Sequence, residues 1–220
     1  MPGACGPNGV QVTGPADAYR GKRAINAFLP LSFAPPITYK KMQDIDSSSE
    51  PLAFLHFCPH CGSDKFAVVS SREFKCGDCG FDFFVNSAAA VVAIITDEDG
   101  RIMLTRRARE PRKGWLDLPG GFVDPGESAE EALHREIREE LEVEVTHSEF
   151  FCSYPNEYIY SNYKVRTTDL AFVCETDKVP TLCADDVEEI VWMRRCDIDL
   201  DKIAFTSIRN ILAKVLASRA

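Results

Sequence analysis

The chain has 220 residues, room for one full domain and a small one. Acids outnumber bases 34 to 25, and the net charge of −9 argues against a general nucleic-acid binder, which needs basic surface. Apolar content is ordinary, and no uninterrupted apolar run approaches the ~20 residues that span a bilayer, so the expectation is a sizeable core and no membrane partner.

Residues 1–50 are rich in Pro, Gly and Ser and are expected to stay disordered, because such a stretch cannot bury enough surface to order itself. The apolar run at 24–37 begins too deep in the chain for a signal peptide, and prolines interrupt it. Met42 stands as an alternative start.

Residues 51–85 carry two C-x-x-C pairs, Cys58/Cys61 and Cys76/Cys79, separated by 14 residues. Gly62 and Gly80 follow the second cysteine of each pair and let the backbone turn tightly. Four thiolates at this spacing suit the tetrahedron of structural zinc, with a short hairpin of 66–69 and 72–75 between the pairs. Two disulfides would need an oxidising compartment, for which no export signal is present. His56 and His60 are read as surface residues beside the cluster. Of the remaining cysteines, Cys152 and Cys174 read as small core residues, and none of the five is assigned chemistry. This cysteine usage points to the reducing cytoplasm.

From residue 86 the pattern becomes mixed α/β. A strand at 88–96 ends in the turn Asp97-Glu98-Asp99-Gly100, and 101–106 returns as its hairpin partner. Turn signals at 118–121 and 124–126 precede a helix over 128–141. Ser128 and Glu131 have capping-box spacing, and Ala129, Leu133, Ile137 and Leu141 form its apolar stripe. Strands are expected at 143–154, 164–174 and 188–193, and a closing amphipathic helix at 205–218. Helices on either side of a mixed sheet make an α/β/α sandwich over residues 86–220.

The helix carries the most informative residues. Glu136, Glu139 and Glu140 fall on one arc, roughly 100° wide. Three like charges repel unless a cation lies against them, and carboxylate oxygens are the ligands Mg²⁺ prefers, usually beside a substrate's phosphates. Gly121, Glu127, Arg135, Glu136, Ile137, Glu139, Glu140 and Val143 match the fixed positions of the Nudix box. The segment therefore resembles that family. One position departs: the late Gly, a left-handed helix stop, is Glu142 here.

The resemblance implies a Nudix hydrolase that cleaves a diphosphate linkage with Mg²⁺ or Mn²⁺. It implies Glu136, Glu139 and Glu140 as metal ligands and a general base among Glu139 and Glu136. Glu127 is placed to pair with Arg135 and so orient the acids. Glu189 is the candidate for a further acid, with Glu188 and Asp186 behind it. Arg106, Arg107, Trp115 and Gly121 are candidate substrate contacts. A zinc ribbon ahead of such a domain resembles the NADH pyrophosphatase subgroup, some of whose members remove nucleotide caps from RNA. That subgroup's Ser-Gln-Pro-Trp signature is only half met by Ser153-Tyr154-Pro155-Asn156. NADH, ADP-ribose and other nucleotide-derived small molecules stay open as substrates. A capped RNA end is the one nucleic-acid partner left open, and a homodimer is also left open. A non-catalytic binding or regulatory module is the alternative function, but its expected mark, loss of box acids, is absent. An isomerase of isoprenoid diphosphates would be expected to carry a divergent box.

Overall fold

The computed structural model describes residues 53–181 and 187–218. The expectation for residues 1–50 lies outside them. Strands β1 (Phe66–Val68), β2 (Glu73–Cys76) and β3 (Asp82–Phe84) form an antiparallel sheet in that order. The first two are the expected hairpin, and β3 was not foreseen. This sheet has its own small core of Cys58, Phe66, Phe74 and Cys76.

Two further sheets build the main domain. One has four strands: β4 (Ala88–Ile95), β7 (Gly120–Phe122), β8 (Val145–Tyr160) and β9 (Tyr163–Thr176), in the order β7-β4-β9-β8. It is mixed, because β4 runs parallel to β9 and antiparallel to β7. The other holds β5 (Ile102–Arg107), β6 (Leu116–Asp117) and β10 (Val187–Met193), in the order β10-β5-β6. Helices α1 (Ala129–Leu141) and α2 (Thr206–Ala217) complete it.

Alternation along β4 explains the layering. Val91, Ala93 and Ile95 pack with Leu133, Ile137 and Leu141 of α1. Val92 and Ile94 point the other way, into a core with Ile208, Ile211 and Leu212 of α2. Period-two side chains on a central strand thus feed two helices on opposite faces, the expected three-layer α/β arrangement. Met103 joins the α1 side while Ile102 and Leu104 join the α2 side, so β5 follows the same rule.

The 97–100 turn forms, with Gly100 at φ 73° and Arg101 bonded back to Asp97. The expected hairpin does not. Past one bridge, Thr96 to Ile102, β4 and β5 part into different sheets. Both edges of β4 are taken by β7 and β9, which leaves β5 to pair with β10 and β6. The true hairpin is β8–β9, far longer than expected, turning at Ser161 and Asn162 with φ of 49° and 63°. Two successive positive φ values match the right-handed twist of the flanking strands. No helix among the described residues is long and apolar enough to cross a membrane.

Candidate active site

Helix α1 begins where its sequence says. Ser128 accepts from the Glu131 amide, and Glu131 accepts in return from the Ser128 amide, closing a capping box. It ends at Glu142, which adopts the left-handed conformation, φ 53° and ψ 36°, and donates its N–H to the Arg138 carbonyl. The residue in the glycine position therefore keeps the glycine's geometry, at a steric cost of roughly 1–2 kcal/mol.

Arg135 ties the preceding loop to this helix. Its Nε and Nη2 donate to the two oxygens of Glu127 at 2.7 and 2.9 Å. Nη2 also donates to the Phe122 carbonyl at 3.0 Å, and Nη1 reaches Glu136 at 2.8 Å and Glu139 at 3.3 Å. The bonds to Arg135 hold the Glu127 carboxyl down to about 2. Glu136 goes the other way: burial raises it above the ordinary carboxylate range, against the pull of Arg135.

Gly120 and Gly121 have no room for a side chain. A Cβ on Gly120 would lie 2.1 Å from the Val91 carbonyl oxygen, and its φ of 140° also demands glycine. A Cβ on Gly121 would fall 2.4 Å from the Glu136 carboxylate. Glu140 is buried and accepts from the Gly120 amide at 2.9 Å. Glu136 and Glu140 sit against glycine backbone, and each of the three acids has a protein donor. Oxygen donors of this kind fit a hard divalent cation, and the gap at Gly121 keeps the Glu136 carboxylate reachable.

A cavity of about 190 Å³ opens beside this cluster, with Gly120, Gly121 and Glu140 in its wall. Of the expected substrate contacts, Arg107 and Gly121 line it. Arg106 and Trp115 do not: they line a separate cavity of about 450 Å³ that contains no box residue. Glu189 pairs with Arg106 at 2.8 Å on the β5–β10 sheet, so it too lies apart from this cavity. Glu188 is exposed on β10, and Asp186 lies outside the described residues.

The sequence reading missed the polar floor of the first cavity. Asp117, Asn156, Thr167 and Asp169 are all buried there. Asp117 accepts from Arg107 and from the Leu118 amide, both at 2.9 Å, yet burial pushes it up to about 6. Asp169 accepts from Thr167 at 2.5 Å and from the Ser207 hydroxyl, and burial raises it too. Asn156 is 5% exposed, and its Oδ1 has no hydrogen-bond partner. An unpaired buried acceptor costs about 1–3 kcal/mol. The available signal was weak: Asp169 stands at the head of the apolar run 170–174, after the polar residues Arg166, Thr167 and Thr168.

In the small sheet the four cysteine sulfurs lie within 4.8 Å of one another. Cys58–Cys79 and Cys61–Cys76 approach to 3.7 and 3.6 Å. A tetrahedron with Zn–S bonds of ~2.3 Å has edges of roughly 3.8 Å, so the sulfur set fits zinc. Gly62 and Gly80 have φ of 75° and 73°, and donate to the Cys58 and Cys76 carbonyls. His60 stacks on Phe81 and His56 is exposed. Cys152 and Cys174 are buried and Cys196 is exposed, while Cys5 and Cys183 lie outside the described residues. Among the described residues, the cysteines are the set of potential ligands this closely gathered; of the three box carboxylates, Glu136 and Glu139 share Arg135 Nη1 as donor, and Glu140 turns to the Gly120 amide.

The family model described as the NUDIX domain matches residues 86–215. The NAD-capped RNA hydrolase NudC of Deinococcus radiodurans is 30% identical over 165 residues, covering 74% of this chain and 57% of that protein. The ADP-ribose pyrophosphatase of Methanocaldococcus jannaschii is 41% identical over 73 residues, 33% of this chain and 40% of that one. The chain thus spans 57% of the length of the first of these curated relatives and 40% of the second. Among solved structures, a NUDIX hydrolase from Nitrosomonas europaea superposes with a TM-score of 0.55 at 20% identity. That match covers 74% of this chain and 91% of the other, and it bears on the fold alone.

Proposed function

This chain belongs to the Nudix family, and from that premise we propose that it is a divalent-metal-dependent hydrolase of the diphosphate linkage in a nucleotide-derived small molecule. Dinucleotides such as NADH and compounds of the ADP-ribose type are its candidate substrates. The observation that carries this reading is the Arg135 clamp. One guanidinium holds Glu127, Glu136, Glu139 and the Phe122 carbonyl, which fixes the acidic arc against the Gly120–Gly121 backbone. Preorganised charge of this kind is what phosphoryl chemistry needs, since the protein's part is mainly positioning and electrostatics.

Glu136, Glu139 and Glu140 would hold Mg²⁺ or Mn²⁺, which withdraws charge from the diphosphate oxygens and supplies an activated water. Glu139 is the exposed member of the set and the one with the weakest bond to Arg135, at 3.3 Å, which favours it over Glu136 as the general base. Arg107, at the cavity wall, is available to bind the substrate. The activities for which the relatives are named, on NAD-capped RNA and on ADP-ribose, agree with a diphosphate substrate. The cysteine cluster is read as structural zinc, because four thiolates leave no open position for water.

The test is nucleotide release from NADH, NAD, ADP-ribose and nucleoside triphosphates, with and without Mg²⁺. Mg²⁺-dependent cleavage of at least one of the first three is expected. Activity confined to triphosphates would reject the substrate assignment, and no activity on any would reject the hydrolase.

A further inference from the structure

Strands β5 and β6 present a different surface on each side. Thr105, Arg107 and Asp117 line the cavity beside Glu140. Arg106 and its cross-strand partner Leu116 face the other way, as strand alternation requires. With Val191 and Met193 of β10 they line the larger cavity of about 450 Å³, which the hydrolytic reading leaves unused. That volume lies within the roughly 300–1,000 Å³ of small-molecule pockets.

The wall of this cavity is apolar and aromatic. Leu116 is buried, Val191 and Met193 are half-buried, and Trp115 adds its indole. The Arg112 guanidinium lies 4.8 Å from the centre of the Trp115 ring, so a cation already covers part of that ring. The rim is cationic. Residues 106–115 hold Arg106, Arg107, Arg109, Arg112 and Lys113 against Glu110 alone, in a chain whose net charge is −9. Arg107 is turned to Asp117 on the other side of the sheet. Arg106 is steadied by Glu189 and by the Gly114 carbonyl, at 2.8 and 3.0 Å. On the opposite rim the turn Leu200–Lys202 is followed by the Ala204 amide, which donates to the Leu116 carbonyl at 2.8 Å. This brings Lys202 and Asp201 to the same cavity. Glu189 offsets Arg106 and Asp201 adds one negative charge, but Arg112, Lys113 and Lys202 are exposed, and Lys202 approaches Asp199 only to 3.8 Å.

We infer that this cavity is a second ligand site, built for a flat aromatic ring that carries one anionic group, a phosphate or a carboxylate. The ring lies against Trp115 and the apolar wall, and the anion meets Lys202 and the basic loop. Guanidinium groups suit such anions because they offer paired N–H donors. The Arg107 amide donates to the Trp115 carbonyl at 3.0 Å, and the Gly114 amide to the Arg107 carbonyl at 2.8 Å. The occupant therefore sits across β5 from the acids and is not the group whose linkage is cut. The site goes beyond the hydrolase reading and stands or falls without it.

The experiment uses the full chain carrying Trp192→Phe, which leaves Trp115 as the only one of its two tryptophans. The probes are 1-naphthyl phosphate, 1-naphthol, inorganic phosphate and AMP, each titrated while the indole N–H signal of Trp115 is followed by NMR. 1-Naphthyl phosphate is expected to shift that signal saturably and to give nuclear Overhauser contacts between its ring protons and the indole. 1-Naphthol and inorganic phosphate should each bind at least ~10-fold more weakly, the scale of losing a charged hydrogen bond or an aromatic stack. Arg112→Gln with Lys202→Gln should weaken 1-naphthyl phosphate by a similar factor and leave 1-naphthol unchanged. AMP arriving at the same contacts assigns the site to nucleotides. AMP without them, beside 1-naphthyl phosphate with them, assigns it to other aromatic anions. No contact between 1-naphthyl phosphate and the indole overturns the inference. So does equal binding of 1-naphthol, or binding of 1-naphthyl phosphate that the double variant leaves unchanged. Failure of the hydrolase reading shows elsewhere, as absence of diphosphate cleavage in a protein that still binds these probes.

Discussion

At the scale of single residues the site depends on close approach. Gly121→Ala places a methyl 2.4 Å from the Glu136 carboxylate, so the acid must move. Turnover is expected to fall at least tenfold with little loss of melting temperature, since a small misplacement of a catalytic group costs on the order of 10²-fold. Glu139→Gln and Glu140→Gln should each lower kcat by at least ~100-fold, the scale of losing an acid–base or charge-stabilising group. Unchanged turnover in both would remove the box from the mechanism. Two other acids titrate in opposite senses. The folded state holds Glu127 at about 2, below its ordinary 4.5, so its contribution is present at neutral pH and is lost as pH falls from 4.5 toward 2. Asp117 is held at about 6, above its ordinary 3.8, so between those values the folded state binds more protons than the unfolded one. Its contribution is complete below pH 3.8 and declines as pH rises through 6. Melting curves from pH 2 to 7 should therefore separate the variants. Relative to the natural protein, Glu127→Gln should lose stability as pH rises and Asp117→Asn should gain it. A constant offset for either would contradict the assignment.

At the scale of elements, α1 shows how much local chemistry decides. Its start was legible in Ser128 and Glu131, and its stop in the position of Glu142, because caps are read from a few neighbouring residues. Glu142→Gly should relieve the left-handed strain and raise stability by ~0.5–1 kcal/mol, the gain being offset in part by the freer unfolded chain. A melting temperature higher by about 1–4 °C would register it. The Arg135–Glu127 pair was legible for the same reason: both residues lie on one short loop–helix unit. Pairings set by distant segments were not. The turn at 97–100 looks like a hairpin from within, and only the claim of β7 and β9 on β4 sends β5 to another sheet. The cavity floor is equally non-local. Asp169 meets Ser207 across 38 positions, and Asn156 meets Thr167 through a hairpin whose length the pattern of its strands understated. Arg106 and Trp115 are candidates from the strand end and loop ahead of the box, and Glu189 from beyond it, whereas the β5–β10 register pairs Arg106 with Glu189 and none of the three lines the cavity beside Glu140.

At the scale of the molecule, the distribution of core residues separates a self-sufficient part from a dependent one. The two clusters on either side of β4 are built mainly from aliphatic side chains of both helices and of strands β4, β5, β6, β8 and β9. The small sheet buries only Cys58, Phe66, Phe74 and Cys76, with partly exposed Leu55, Val68, Phe81, Phe83 and Val85 around them. Half of that buried set consists of thiols, and a core this small does not hold a fold without a staple. Metal binding free energy then becomes folding free energy for this region. The division at residue 85 follows as a proposal: a zinc-dependent ribbon ahead of a domain that stands without it. Metal analysis of protein purified without chelators should give about one zinc per chain. Cys76→Ser, or removal of zinc, should abolish hydrogen-exchange protection in strands 66–68, 73–76 and 82–84. Strands 88–95 and 102–107 and helix 206–217 should keep theirs. Loss of protection across both regions together would mean that the ribbon and the domain fold as one cooperative unit, and that the four thiolates secure more of the molecule than their own sheet.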